Sequence, residues 1–279
     1  MSGDWRDTLP EYAWRVPELP EVETIRVTLE PLLVGRSIER AEILDERLTR
    51  PEPPEAVAQQ LGGERIEAVQ RRGKYLLLRL ASGRVLLVHL RMTGSFRSEG
   101  GLHTRAVLKL DDGTSVTYRD VRRFGTWLLL DEEDVEPYLA ARLGAEPLER
   151  RFTLSRLAGR RAPVKAAILD QRTVPGLGNI YADEALWRAR IHPLRPAGSL
   201  DDEELKRLRR GIREALRAGI ARQGATLSDY AAPDGSAGSM QREFKVYGRQ
   251  GEPCDRCGTP IEKTRVAGRG TWFCPSCQS

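Results

Sequence analysis

The sequence predicts an α+β chain of several parts: an N-terminal helix, antiparallel β-sheets, a helical segment and a small metal-stapled ribbon. Three observations carry this: short strand-like runs split by tight turns, one long amphipathic helix further on, and four cysteines confined to the last 26 of 279 residues. That length suffices for two domains, or for one with appendages, and for substantial buried cores.

In "PEVETIRVTLEPLLVG", Pro20 suits a first helical turn, and Val22, Ile25, Leu29, Leu32 and Leu33 form an apolar stripe that Gly35 ends. From Ile38 to Leu130 the texture is β, with "YLLLRL", "RVLLVHL", "RAVLKL", "TSVTYRD" and "TWLLL" as short runs. The pairs Ser82-Gly83 and Asp112-Gly113 mark hairpin turns between them, which predicts a sandwich or a barrel-like sheet pair. From about Leu139 the pattern is helical. Ser199 with Asp202 resembles a capping box, and Leu205, Leu208, Ile212, Leu216 and Ile220 continue one apolar face until Gly224. "AAPDGSAG", residues 231–238, has loop composition, and short strands follow around the cysteines.

The bulk composition narrows the function classes. No apolar run approaches the 18 residues of a membrane-spanning helix, and the first residues lack the basic start and apolar stretch of a secretion signal. A cytosolic, reducing location with no membrane partner is therefore expected. The 45 Lys and Arg against 40 Asp and Glu give a net charge of +5, compatible with a polyanionic partner but not diagnostic of one.

The cysteines pair as Cys254-x-x-Cys257 and Cys274-x-x-Cys277, the spacing of a zinc ribbon. Each pair forms a knuckle that directs two thiolates to one point, and Gly258 relaxes the first turn. Four thiolates leave no open position, so one structural Zn2+ is expected, with disulfides or redox thiols the alternatives that a reducing compartment disfavours. Arg265 and Arg269 fall near the tip of the intervening hairpin, where they could reach a nucleic-acid groove or simply face solvent.

In "APVKAAILDQRTVPGLGNIYADE", a helix ends near Gln171, a Pro-Gly-x-Gly turn follows, and Asn179 can cap a second helix. Free amides at that helix start would form an anion site, to which Lys165 could add a point charge. A plain helix-turn-helix pair is the other reading. His192 before Pro193 reads as structural.

These blocks together resemble the formamidopyrimidine-DNA glycosylase and endonuclease VIII family, specifically its formamidopyrimidine-DNA glycosylase branch. "PELPEVET", "RRGKYLLL", "HLRMTGS", "RRFG", "GLGNIYADE" and the ribbon opened by "VYGRQGEPC" occur in the family's order from Pro17 to the C-terminus. Leu19 and the "RRFG" block favour the formamidopyrimidine branch. The resemblance implies an N-terminal β-sandwich, a helix-two-turn-helix domain and a zinc finger, with the divisions 1–16 (leader), 17–138, 139–240 and 244–279. It also implies an enzyme that excises oxidised purines such as 8-oxoguanine and formamidopyrimidines from duplex DNA and then cleaves the abasic site, acting as a monomer in the bacterial cytosol.

By the same resemblance Pro17 is the amine nucleophile, Glu18 the general acid/base, and Glu21 an ordering group. Lys74 holds a phosphate near the lesion and assists catalysis, Arg269 binds another from the zinc finger and supports strand cleavage, and Lys165 and Asn179 hold phosphates from the helical side. Met92, Arg122 and Phe124 fill the space that the extruded base leaves. Ser239 and Met240 stand where the commoner pattern has Tyr-Phe in the loop over the extruded base, so an endonuclease VIII-like preference for oxidised pyrimidines is the near alternative. A retained leader would leave Pro17 an internal amide and the protein a non-catalytic lesion binder. Val16 directly before Pro17 suggests initiation at Val16 from a GTG codon, removal of the initiator methionine, and a free Pro17.

Overall fold

The computed structural model describes residues 16–225 and 238–279; the expected leader except Val16, and the loop 231–238 except Gly238, lie outside the described residues. Two compact units divide them. The first holds the described residues of 1–17, Glu21–Tyr138 and the described residues of 223–238; the second holds Glu18–Pro20, Leu139–Arg222 and Ser239–Ser279.

Helix α1 (Leu19–Leu33) buries Val22, Ile25, Leu29 and Leu33 completely. Leu32, expected on the same stripe, is half exposed because adjacent helical residues point about 100° apart. Gly35 ends the helix at φ +82° and donates its N–H to Ile66 O at 2.8 Å.

Eight strands follow: β1 (Ile38–Ile43), β2 (Ile66–Arg72), β3 (Tyr75–Leu80), β4 (Arg84–His89), β5 (Gly94–Arg97), β6 (Thr104–Leu110), β7 (Ser115–Asp120) and β8 (Thr126–Asp131). They form two antiparallel four-stranded sheets, ordered β1-β6-β7-β5 and β2-β3-β4-β8. One apolar cluster joins α1 to both sheets, through Ile38, Leu108 and Tyr118 of the first and Leu78, Leu86 and Trp127 of the second. The result is a sandwich. Gly83 and Gly113 take the left-handed backbone that the expected hairpin turns require. Helices α2 (Pro54–Leu61) and α3 (Glu132–Ala140) interrupt or close a stretch whose texture predicts strands alone. α2 buries only Val57 and Leu61, too short a stripe for a helical period to stand out.

The second unit contains α4 (Val164–Leu169), α5 (Asn179–Ala189), α6 (Asp202–Ala221) and a ribbon of β9 (Glu262–Val266) and β10 (Arg269–Phe273). α6 packs on α5 through a glycine, since a Cβ at Gly211 would lie 2.6 Å from Ala185 O. Its buried face is Leu208, Gly211, Ile212, Ala215, Leu216 and Gly219; Leu205 and Ile220, expected on it, are only partly covered. The capping box is Asp201 with Glu204 rather than Ser199 with Asp202. Ser199 Oγ instead donates to Pro196 O at 2.9 Å inside a preceding 3-10 turn, so its oxygen is turned away from the helix amides. Among the described residues no helix is long and apolar enough to cross a membrane.

Asp201→Ala should therefore lower unfolding free energy by about 1 kcal/mol in urea denaturation, whereas Ser199→Ala should change it by a few tenths at most. The reverse ranking would contradict the assigned cap.

Candidate active site and nucleic-acid interface

Glu18 is 3% exposed, yet it is an acid next to an apolar leucine at the start of a helix. Its carboxylate accepts the N–H groups of Gly178 (2.7 Å) and Tyr181 (3.3 Å) on Oε2 and of Ile180 (2.9 Å) on Oε1. They belong to the opening turn of α5, whose positive dipole end suits an anion. The anion site expected there is thus filled by the chain's own carboxylate.

The Pro-Gly-x-Gly turn explains how Glu18 reaches it. A Cβ at Gly178 would lie 2.3 Å from Glu18 Cδ, and one at Gly176, at φ +79°, 2.6 Å from Leu19 Cβ. Leu19 N donates to Gly176 O at 2.9 Å, closing the contact on the main chain. α4 ends at Leu169, two residues before the expected Gln171, and that side chain braces the turn. Gln171 Oε1 accepts Gly176 N at 2.9 Å while its amide donates to Leu177 O at 2.9 Å. Pro17, buried, lies one bond before this docked residue. Glu21 is also buried; its Oε1 accepts Ala225 N at 2.8 Å in the first unit.

Lys165 is a correction. It is fully buried, and its ammonium donates to Gly270 O (3.0 Å) and Thr271 Oγ1 (2.8 Å) and pairs with Asp183 at 2.8 Å. With every donor used inside the fold, it cannot offer itself to a phosphate. Instead it ties α4 and α5 to the ribbon. Burial pushes the Asp183 carboxyl up to about 7 and the Lys165 ammonium down, each against the pull of its partner. Asp183 Oδ2 also accepts Trp272 N at 3.1 Å, and Glu184 Oε1 accepts the N–H groups of Lys245, Val246 and Tyr247. These two acids were missed in the sequence; the signal for them is a pair of carboxylates in the almost wholly buried helix α5.

Asn179 is the first residue of α5, not its cap, which is Gly178. Its side chain donates to Gly270 O at 3.0 Å and stays partly exposed. Arg269 opens β10 beside the Ala267-Gly268 tip, where both residues have positive φ, and it is exposed. His192 packs edge-on against Phe273 at 4.6 Å, a structural placement.

The cysteines sit where the ribbon needs them. The four sulfurs lie within 4.8 Å of one another and none is in a disulfide. Zn–S bonds of about 2.3 Å separate tetrahedral sulfurs by about 3.8 Å, so the cluster fits one structural zinc with no open position. Trp187 Nε1 of α5 donates to Cys254 Sγ at 3.4 Å, linking helix and metal centre.

In the first unit Lys74 occupies the two-residue β2–β3 turn after Gly73, which has φ +58°. Arg71 steadies the turn by donating to Gly73 O (3.0 Å) and Glu23 (2.8 Å). His89, at the end of β4, is buried; burial, with the charges of Arg91 and Lys74, pushes its imidazole down to about 3. The neutral ring accepts Arg91 N on Nδ1 at 3.0 Å and shapes the turn that carries Met92, which is half-buried. Phe124 is 49% exposed, and the Arg122 guanidinium lies 4.9 Å from its ring centre. Between them Arg123, at φ +59°, turns away to bond both oxygens of buried Asp45.

The same architecture and residue blocks occur in known DNA repair glycosylases with a zinc finger. Family models match at residues 16–127 (formamidopyrimidine-DNA glycosylase N-terminal domain), 143–231 (the H2TH domain of the same enzyme) and 251–279 (zinc finger found in FPG and IleRS). The formamidopyrimidine-DNA glycosylase of Symbiobacterium thermophilum is 49% identical over 94% of this chain and 89% of its own length. The crystal structure of MutM (Fpg) from Thermus thermophilus superposes with TM-score 0.86 at 47% identity, covering 94% of this chain and 98% of that one. A Lactococcus lactis Fpg variant in complex with DNA containing Fapy-dG superposes with TM-score 0.88 at 39% identity, covering 94% and 100%. The chain belongs to the formamidopyrimidine-DNA glycosylase family.

Two outcomes test the site's construction. Gly178→Ala should displace Glu18 from the α5 amides and lower unfolding free energy by about 1–3 kcal/mol, the cost of leaving buried polar groups unpaired. Denaturation of this variant indistinguishable from the parent would contradict the docking. The Arg123 hydrogen bond lowers the Asp45 carboxyl below its ordinary value. A depressed folded pKa contributes stability above the usual carboxylate value of about 4, and that contribution is lost as pH falls through the folded value. Asp45→Asn should therefore be less stable than the parent at pH 7, with the gap closing below about pH 4. Urea titrations across pH measure it, and a gap that persists undiminished at low pH would contradict the pairing.

Proposed function

We propose that the protein is a base-excision enzyme that removes oxidised purines, 8-oxoguanine and formamidopyrimidines, from duplex DNA. It then cleaves the abasic site by successive β- and δ-elimination through a Schiff base on Pro17. The observation that carries this reading is the Glu18 carboxylate, buried on three backbone amides and placed one residue after Pro17. A relative from Lactococcus lactis solved with abasic-site DNA, 39% identical over 94% of this chain, supports the substrate class.

The nucleophile is the secondary amine that Pro17 offers whenever no residue precedes it. An α-amino group titrates near pH 8, so an appreciable fraction is neutral at physiological pH. Its lone pair attacks the sugar C1′, and the C1′–N bond breaks with its electrons passing to the leaving base. Glu18 accepts the proton released from the Pro17 nitrogen and returns one to the sugar O4′ as the ring opens, leaving a cationic iminium. That cation acidifies the adjacent C2′–H: Glu18, a carboxylate again, takes the C2′ proton as C2′=C3′ forms and the 3′ phosphate leaves. Loss of the C4′ proton to water then expels the 5′ phosphate, and water hydrolyses the imine to free Pro17.

Lys74, Asn179 and Arg269 supply phosphate contacts, while Lys165 acts from inside by fixing the ribbon that presents Arg269. Met92, Arg122 and Phe124 enter the duplex where the damaged base leaves. The bound zinc supplies no chemistry; Cys254, Cys257, Cys274 and Cys277 hold it to fold the ribbon.

Borohydride treatment of the protein beginning at Pro17 with an 8-oxoguanine duplex should give a covalent protein–DNA adduct, and Pro17→Gly, which offers a primary amine, should still trap. The chain extended to Met1 should give none. Adduct formation by a chain whose Pro17 remains an internal amide would overturn this assignment, and exclusive activity on thymine glycol would overturn the substrate.

A further inference from the structure

The two turns that carry Met92, Arg122 and the exposed Phe124 are joined by a clasp that the chemistry above does not use. Asp120, at the end of β7, is 1% exposed and spends its carboxylate entirely on these turns. Oδ1 accepts the Thr93 hydroxyl and Arg122 N (3.2 Å), and Oδ2 accepts Gly125 N at 2.7 Å. Arg122 N also reaches Thr93 Oγ1 at 3.0 Å, so Thr93 both donates to the carboxylate and accepts from the neighbouring turn. Thr93 follows Met92 directly, and Arg122 N and Gly125 N bracket Phe124. One buried carboxylate thus closes the second turn on itself and crosses to the first.

Packing repeats the connection. A Cβ at Gly94 would lie 2.2 Å from Tyr118 Oη, and one at Gly125 1.9 Å from the same atom. Both turns therefore rest on one phenol, and both need glycine to do so. At the far side Arg123 is drawn out of the row by Asp45, which leaves Arg122 and Phe124 stacked on each other. An exposed aromatic held this way has already lost much of the conformational freedom that insertion between bases would cost.

We propose that Thr93 and Asp120 are positioning residues that lock the Met92 turn and the Arg122–Phe124 turn into one presenting element, so that the three side chains enter the duplex together. This rests on the preceding reading that these side chains occupy the space left by the extruded base. A brace with no bearing on DNA is the competing account.

Thr93→Val keeps the side-chain shape and removes the hydroxyl, whereas Thr93→Ser keeps the hydroxyl. Single-turnover excision from an 8-oxoguanine duplex, and the fluorescence of a 2-aminopurine placed next to the lesion, read chemistry and insertion respectively. Losing a hydrogen bond to a charged group should slow both by roughly tenfold in Thr93→Val. Thr93→Ser should stay within about twofold of the parent, and both variants should keep their zinc and fold, with Thr93→Val melting a few degrees lower for its lost hydrogen bond. Equal insertion rates in parent and Thr93→Val, or equal losses in the valine and serine variants, would overturn the proposal. Amide hydrogen exchange at Arg122 and Gly125 reads the clasp without DNA: faster exchange in Thr93→Val supports it, and unchanged exchange refutes it. A parent that neither excises nor inserts would instead defeat the preceding functional reading, and the clasp would then be decided by the exchange rates.

Discussion

The contact on which the rest depends is that between the Glu18 carboxylate and the first amides of α5. A buried carboxylate is costly unless its oxygens are satisfied, and a helix start is costly unless its amides are. Each resolves the other. The solution demands glycine at positions 176 and 178, because any side chain there would occupy the space of Leu19 or Glu18. It also demands the Gln171 brace that holds the turn open toward them. Glu18 and Leu19 are thereby fixed to a helix far away in sequence, and Pro17 is bonded directly to Glu18.

The same economy of buried charge holds the ribbon. Lys165 and Asp183 hold β10 at Gly270, Thr271 and Trp272, and Glu184 gathers the amides of the segment leading into the metal site. A ribbon this small cannot supply a core of its own. Zinc and this ionic network do so instead, and Trp187 of α5 donates to Cys254. Asn179 and Arg269 are presented from a frame whose charges are already committed.

Much of this was legible in the sequence, because the signals were local. Hairpin glycines, alternating strands and the paired cysteines each encode a backbone requirement within a few residues, and the residue blocks carry the family. What was not legible depends on partners distant in the chain. Lys165 looks like any helix lysine until Asp183 and the ribbon surround it; the free amides at Asn179 look like an anion site until Glu18 fills them. The cap of α6 was misplaced by two residues because Ser199-Asp202 and Asp201-Glu204 fit the same pattern, and only the 3-10 turn before the helix chooses between them. Leu32 went astray because two adjacent leucines cannot both face one core.

The central claim is that Glu18, held on α5, fixes an amine at Pro17 for attack on a sugar. A crystal structure of the chain beginning at Pro17, bound to a duplex with a stable abasic-site analogue, tests it most directly. The account predicts the Pro17 nitrogen facing the sugar C1′ while the Glu18 carboxylate remains on the amides of Gly178, Ile180 and Tyr181. A Glu18 carboxylate swung off those amides, or a Pro17 nitrogen turned away from the sugar, would contradict it.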